Sequence, residues 1–404
     1  MALFKSLSRS QKEAVGLLQI GTFLEYFDLM LYVHMAVLLN ELFFPKYDPH
    51  TAALMSAFAF CSTYVLRPFG ALIFGYIGDT FGRKSTVVIT TMMMAVSCII
   101  MANLPTYAQI GITATWIVTV CRLTQGLSSM GEIIGAQVYL AEIIEPPARH
   151  TAGAFLHVAS SMGATAALGV AALVTHNGLN WRIAFGIGAA IAVTGSIARV
   201  RLRETPEFIV ARQHKKNTKK IKEDVSPIMF AKNFIGSLFL YSGWPVSFYL
   251  VFFYFQGMLS DKFGYVPEDI ILHNFFLGIV FFSSFILYAV LTLFLKPFDI
   301  VKPRIYTGLI LIALLPFVVS CCESPKSLFF FQSLLLVFSF ACSPCEPILI
   351  KHFSTLNRLT TTSFVYALSR CAVYIITSFG LIFFCEWFGH YGVWVLAFPI
   401  RATA

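Results

Sequence analysis

Charge is scarce in this sequence: Asp, Glu, Lys and Arg together make up 12% of its 404 residues. A soluble domain carries roughly 25%. Half of that cannot cover the surface of a soluble globule, so a soluble enzyme is excluded first. Catalytic signatures are missing too. No His-rich cluster, Gly-x-Ser-x-Gly motif or nucleotide fingerprint appears, so no catalytic residue, metal or cofactor is expected. The nine cysteines lack metal-ligand spacing. Cys342 and Cys345 form a lone C-x-x-C without a second pair, and all nine fall in or at the ends of apolar runs as small apolar filler.

Apolar residues are abundant, at 57% with 41 Phe and a mean hydropathy of +0.76. Division by twelve gives about 34 residues per unit, enough for one membrane span of ~20–24 residues and a short loop. Apolar runs between polar punctuation place twelve spans near 15–39, 52–78, 86–104, 111–140, 151–175, 183–200, 232–258, 270–295, 304–322, 327–349, 360–383 and 387–403. The expected class is an all-α membrane protein with little mass outside the bilayer. Span 1 follows Lys5, Arg9 and Lys12 but is too long for a signal-peptide core. It also lacks an Ala-x-Ala cleavage site, so it reads as retained.

The net charge of +9 is a topology signal. With the N-terminus inside, 22 of the 29 Lys and Arg fall on the cytoplasmic side, four outside and three within spans. That asymmetry predicts two cytoplasmic termini and no nucleic-acid partner. The one long polar stretch, residues 201–231, contains the basic run Arg212–Lys220. It divides the chain into six-helix halves, 1–200 and 232–404, joined by a basic cytoplasmic linker, as a duplicated half would be. The repeat is faint: Gly75–Lys84 after span 2 is weakly echoed by Lys296–Arg304 after span 8.

Six ionisable residues lie where topology does not explain them: Glu25 and Asp28 in span 1, Arg67 in span 2, Arg122 and Glu132 in span 4, and Arg370 in span 11. Each charge near the bilayer centre costs about 2.5–3.5 kcal/mol on insertion scales, so they pair inside the protein or line a watery cavity. Helical spacing gathers them. Gly21, Glu25, Asp28 and Tyr32 share one face; Arg122, Gln125, Ser129 and Glu132 share another; Ser56, Thr63, Tyr64 and Arg67 a third. Ser363, Tyr366, Arg370, Tyr374 and Thr377 form a matching stripe in the second half. Stripes from both halves facing one interior describe a carrier. A surplus carboxylate beside arginines can exchange a proton if burial raises its pKa, which makes Glu25, Asp28 and Glu132 coupling candidates with Arg122; a static ion pair is the alternative. His157 reads as a helix-contact residue.

These residues resemble the major facilitator superfamily, in particular its metabolite:proton symporter family of the proline/betaine transporter type. The carriers of the resemblance are Gly21–Asp28 with Phe43-Phe44-Pro45 and Asp48-Pro49, Arg67-Pro68-Phe69-Gly70, and the loop motif Gly75-x-x-x-Asp79-x-x-Gly82-Arg83-Lys84. Arg122–Gly126 with Gly131-Glu132, then Glu142, Pro146, Arg149, Trp181-Arg182 and Arg203–Phe208 complete the first half. The resemblance implies that Gly75, Asp79, Gly82, Arg83 and Lys84 gate alternating access by latching the halves, and that Arg122 tunes a neighbouring carboxylate. In this reading Asp79 opens span 3 as a helix cap. The second half departs from the family pattern at Leu349-Ile350-Lys351, Arg358-Leu359, Tyr366-Ala367 and Arg370. The chain stops at Ala404, so gating by a coiled-coil tail is not expected.

The expectation is a twelve-span carrier of the major facilitator fold that imports a small polar metabolite with protons. It is placed in a bacterial inner membrane, with a monomeric functional unit. Spans 1, 2, 4, 5, 7, 8, 10 and 11 should line the cavity. A zwitterion or betaine would use the carboxylates with the aromatics Trp244 and Tyr249. A carboxylate would use Arg67, Arg122 or Arg370, with Gln125 and Tyr366 as further cavity candidates. Aromatic packing is the alternative role for Trp244 and Tyr249. A proton-independent facilitator and a receptor on the carrier fold are the competing functions.

Overall fold

The computed structural model describes residues 7–43, 64–176, 178–200, 209 and 227–402, and every regular element among them is helical. Helices stand at all twelve expected positions. In the first half they are span 1 (Arg9–Phe43), the described part of span 2 (Arg67–Thr80), span 3 (Arg83–Asn103), span 4 (Ile112–Ile143), span 5 (Ala148–His176) and span 6 (Arg182–Arg199). In the second half, span 7 begins as Pro227–Tyr249 and runs on through a wide-turn stretch, Leu250–Tyr254, into Phe255–Phe263. Span 8 is Pro267–Leu291, span 9 Pro297–Cys321 and span 12 Gly392–Ala402. Among the described residues, seven helices are long and apolar enough to cross a membrane. The basic stretch 212–220 lies outside the described residues, as do Ser56 and Thr63.

Proline opens spans 8, 9 and 10 at Pro267, Pro297 and Pro325, where its missing N–H costs nothing and its fixed φ suits the first turn. Gly82, at φ 123°, makes the tight turn between spans 2 and 3, a conformation closed to residues with a Cβ. Phe69, Tyr76, Trp116, Ile197, Phe294 and Trp387 are among the large apolar residues left on the outside. Such a surface is untenable in water and ordinary against lipid. The largest interior cluster crosses between the halves, bringing Phe27 and Leu31 of span 1 together with Phe248, Val251 and Phe255 of span 7.

Span 10 is interrupted. Its first helix, Pro325–Val337, ends at Phe338, and a second, Glu346–Lys351, starts eight residues later. Unwound backbone inside a membrane protein must find partners within the protein, and here Arg304 supplies them. Its Nη1 and Nη2 donate to the carbonyls of Ser343 at 2.9 Å and Ser339 at 3.0 Å, and its guanidinium lies 4.0 Å over the Tyr288 ring. Arg304, the first residue of the expected span 9, is only 3% exposed. It belongs to the interior because the broken span needs donors. Span 11 is Arg358–Ile375 with its own wide turn at Ile376–Gly380 before Leu381–Phe388.

Candidate transport site

One end of the bundle holds a dense polar clasp between the halves. Asp79 does not open span 3, as the sequence suggested. It lies within the last turn of span 2, and span 3 starts at Arg83 with no side-chain cap. The Asp79 carboxylate instead caps span 11 in the other half. It accepts the Leu359 N–H at 3.3 Å, the Thr360 N–H at 2.8 Å and the Thr360 hydroxyl at 2.6 Å. An anion at a helix N-terminus meets both free N–H groups and the positive end of the helix dipole. The helices come this close because Gly75 has no side chain: a Cβ there would stand 2.6 Å from Thr360 Cα.

Arg83 organises the rest of the clasp. It is fully buried, pairs with Asp79 at 2.9 Å and Glu142 at 3.2 Å, and donates to the carbonyls of Gly78 and Thr355, each at 2.8 Å. Glu142 is shared with Arg358 of span 11 at 3.0 Å. Lys84 is half-buried beside them.

A second cluster joins spans 1, 3 and 4. Asp28 and Arg122 are buried, at 3% and 5% exposure. Arg122 donates to Gln125 Oε1 at 3.1 Å and lies 3.7 Å over the Tyr32 ring. Gln125 Nε2 contacts the Cys98 sulfur at 3.6 Å, and the same thiol shares a hydrogen bond with Asp28. Asp28 and Arg122 therefore belong to one buried network, with Cys98, read from sequence as filler, between them. Glu25 is 1% exposed. Arg67, 2% exposed, lies 4.2 Å over the Tyr64 ring. Both act electrostatically on Tyr366, as does Arg370. The Glu132 side chain lies outside the described residues.

Between the halves lies a cavity. Its wall comes from spans 1, 5, 7, 8, 10 and 11; among the described residues, spans 2 and 4 contribute none. Of the sequence candidates, Trp244, Tyr366 and Arg370 line it, while Arg67, Gln125 and Tyr249 do not. Tyr249 packs on Phe253 at 5.4 Å. Trp244 stacks on Phe281 with centroids 4.7 Å apart and planes 11° from parallel. Arg370 lies 3.3 Å over Tyr366 and reaches the Tyr241 carbonyl at 3.5 Å. Away from the clasp, Tyr64 meets Tyr374 at 4.1 Å and His34 meets Phe252 at 5.9 Å, so aromatic contacts join the halves there too.

The cavity also holds charges the sequence reading passed over. Glu346, at the start of the second helix of span 10, is 5% exposed. It pairs with His157 of span 5 at 2.8 Å, across the divide between the halves. His157 is thus a helix-contact residue, as read, with an ionisable partner that was not foreseen. The signal for Glu346 was available: a lone acid between Pro344 and Pro347 in an otherwise apolar run, the kind of interruption that marks a transporter's binding region.

Residues 16–233 match the family model described as "Sugar (and other) transporter". The chain belongs to this family. Its helical architecture is of the major facilitator type. Family relatives include the proline/betaine transporter of Salmonella typhimurium, 33% identical over 204 residues, which covers 49% of this chain and 41% of the relative. The inner membrane metabolite transport protein YhjE of Escherichia coli is 35% identical over 208 residues, covering 50% of this chain and 47% of that one. The chain spans about half the length of the curated relatives it matches. Its fold is similar to that of the proton:xylose symporter XylE bound to a bromodeoxyglucose, with TM-score 0.78 and 13% identity over 97% of this chain and 94% of that one. The human organic anion transporter MFSD10 follows, with TM-score 0.70 and 15% identity over 98% of each chain. Together with the apolar helices, family membership makes this a multi-pass membrane protein.

Proposed function

We propose that this protein is a proton-coupled symporter of a small polar metabolite, working by alternating access between the halves 1–200 and 232–404. The observation that carries the reading is the Asp28–Cys98–Gln125–Arg122 network, buried in the first half beside a cavity shared with the second. A buried carboxylate linked through such a network to a guanidinium gains or loses a proton as the network rearranges, which is the physical requirement for coupling. Asp28 is the carboxylate we assign to it, with Glu25 and Glu132 as the remaining candidates and Arg122 as the tuning group. Gly75, Asp79, Gly82, Arg83 and Lys84 serve as the gate, since their contacts must part for that end to open.

The cavity supports a zwitterionic solute over a dicarboxylate. Arg370 offers a cation to a carboxylate, and the stacked Trp244 and Phe281 offer aromatic faces to an ammonium group. The names of the proline/betaine relatives agree with that choice. The bias of Lys and Arg supports cytoplasmic termini, a cytoplasmic linker and a bacterial inner membrane. A cavity enclosed by one chain supports a monomeric functional unit. Uptake of proline, betaine, 2-oxoglutarate, citrate and shikimate by reconstituted vesicles tests the reading. It predicts concentrative uptake of a zwitterion under an inward proton gradient. Equilibration without accumulation would make the protein a facilitator, and binding without counterflow would make it a receptor.

A further inference from the structure

An imidazole and a carboxylate pair across the two halves. His157 Nε2 lies 2.8 Å from Glu346 Oε2, joining span 5 to the second helix of span 10. The carboxylate side chain is 7% exposed and the imidazole 18%, with the imidazole stacked 5.7 Å from Phe285. We propose that the His157–Glu346 pair is a proton-binding clasp between the halves, which holds them together at the Asp79 end while the imidazole is charged and loosens when the proton leaves. The proposal rests on the alternating-access reading above, and it adds a proton site separate from the Asp28 network.

The geometry supports a clasp on three grounds. First, a protonated imidazole adds an ion-pair attraction to the carboxylate that the neutral ring lacks, and imidazole is the side chain whose ordinary pKa lies near neutrality. Second, the pair spans the divide that must open. Gly153, one turn before His157, packs against Pro347, so the two segments are in contact beyond the pair. Third, the helix carrying Glu346 follows the unwound stretch of span 10, so its only continuous helical neighbour on the N-terminal side is interrupted. A contact on such a short piece reports directly on whether that piece stays docked to span 5.

Charged and titratable groups face the pair from every element packed against it. Arg304 from span 9 acts electrostatically on Glu346, Arg370 from span 11 shares the cavity wall with it, and Arg149 from span 5 faces it across a small void. Three guanidiniums thus lie around the Glu346 carboxylate. Span 4 presents Gln137, 3.5 Å from His157. Spans 1 and 7 present Tyr26, His34 and Tyr241, and the unwound stretch presents the Cys342 and Cys345 thiols. His150 is a further imidazole nearby, with Nδ1 3.3 Å from the Pro344 carbonyl.

Pulsed-EPR distances test the clasp without any substrate. Nitroxide-bearing non-natural residues replace the exposed Phe81 and Phe294, one in each half, in the full chain in lipid nanodiscs. Between about pH 5.5 and pH 8, where imidazoles titrate, the closed-to-open ratio should fall, by at most about tenfold per pH unit for a single proton. His157→Gln should abolish most of that dependence and Glu346→Gln should do the same, while His157→Lys should stay closed across the range. His150→Gln should titrate like the parent protein. An unchanged pH profile in both His157→Gln and Glu346→Gln would overturn the clasp, as would loss of the profile in His150→Gln alone. Because the readout needs no transport, a working clasp in a protein whose uptake ignores the proton gradient would sink the symport reading and leave the clasp standing.

Discussion

The Asp79 carboxylate at the end of span 2 binds both the backbone N–H of Thr360, at 2.8 Å, and its hydroxyl, at 2.6 Å, at the start of span 11. A single side chain of one half thereby caps a helix of the other, so docking of the halves and capping of span 11 are the same event. Asp79→Asn keeps the shape and removes the charge. It should cost about 1–2 kcal/mol, lowering the closed-to-open ratio by roughly 5–30-fold. Thr360→Val, which removes only the hydroxyl, should give the smaller shift. Distances between the labelled halves read both effects, and an Asp79→Asn ensemble matching the parent protein would contradict the capping role.

Glu142 carries the heavier charge burden. It stands between Arg83, at 3.2 Å, and Arg358, at 3.0 Å. Removing it leaves two guanidiniums in a buried site without their shared anion. Breaking such a pair costs roughly 3–5 kcal/mol, so Glu142→Gln should lower the thermal unfolding temperature clearly more than Asp79→Asn does. Differential scanning fluorimetry checks the ranking, and the reverse order would rule out Glu142 as the shared anion.

Asp28→Asn separates chemistry from architecture. The variant should lose uptake driven by a proton gradient and retain solute counterflow, because counterflow requires no net proton movement. Glu25→Gln should keep measurable coupling. If Asp28→Asn accumulates solute as the parent protein does and Glu25→Gln does not, the proton belongs to Glu25.

Arg370 and Trp244 divide the recognition of a zwitterion between them. Arg370→Gln should weaken binding of carboxylate-bearing solutes by about 10–100-fold, the equivalent of a charge-assisted hydrogen bond of ~1.5–3 kcal/mol. Arg370→Lys should recover only part, since the ammonium cannot stack on Tyr366 as the planar guanidinium does. Trp244→Leu should weaken quaternary-ammonium solutes by ~0.5–2 kcal/mol and leave simple carboxylates nearly unchanged. Competition binding with the two solute classes reads out both variants.

The helices and the first-half polar network were legible because charge is costly in an apolar run, so Asp28, Arg67 and Arg122 stood out on their own. Stripe geometry pointed the right residues inward, yet inward is not the same as cavity-lining: Gln125 and Arg122 turn to each other, and Tyr249 turns to Phe253. Arg304 was hidden because Lys302-Pro303-Arg304 reads as a basic loop, and only the unwound carbonyls of Ser339 and Ser343 explain its burial. His157–Glu346, 189 residues apart, is a tertiary pairing that helical periodicity cannot express. Asp79 was misplaced by one helix because a capping carboxylate looks the same whether it serves the next helix or one from the far half.

Proton movement triggered by solute, recorded with a pH dye inside sealed proteoliposomes, tests the central claim most directly. Adding the transported solute outside, with no imposed gradient, should acidify the lumen in the parent protein and leave it unchanged in Asp28→Asn. Solute entry in the parent protein with no lumenal acidification would contradict proton symport.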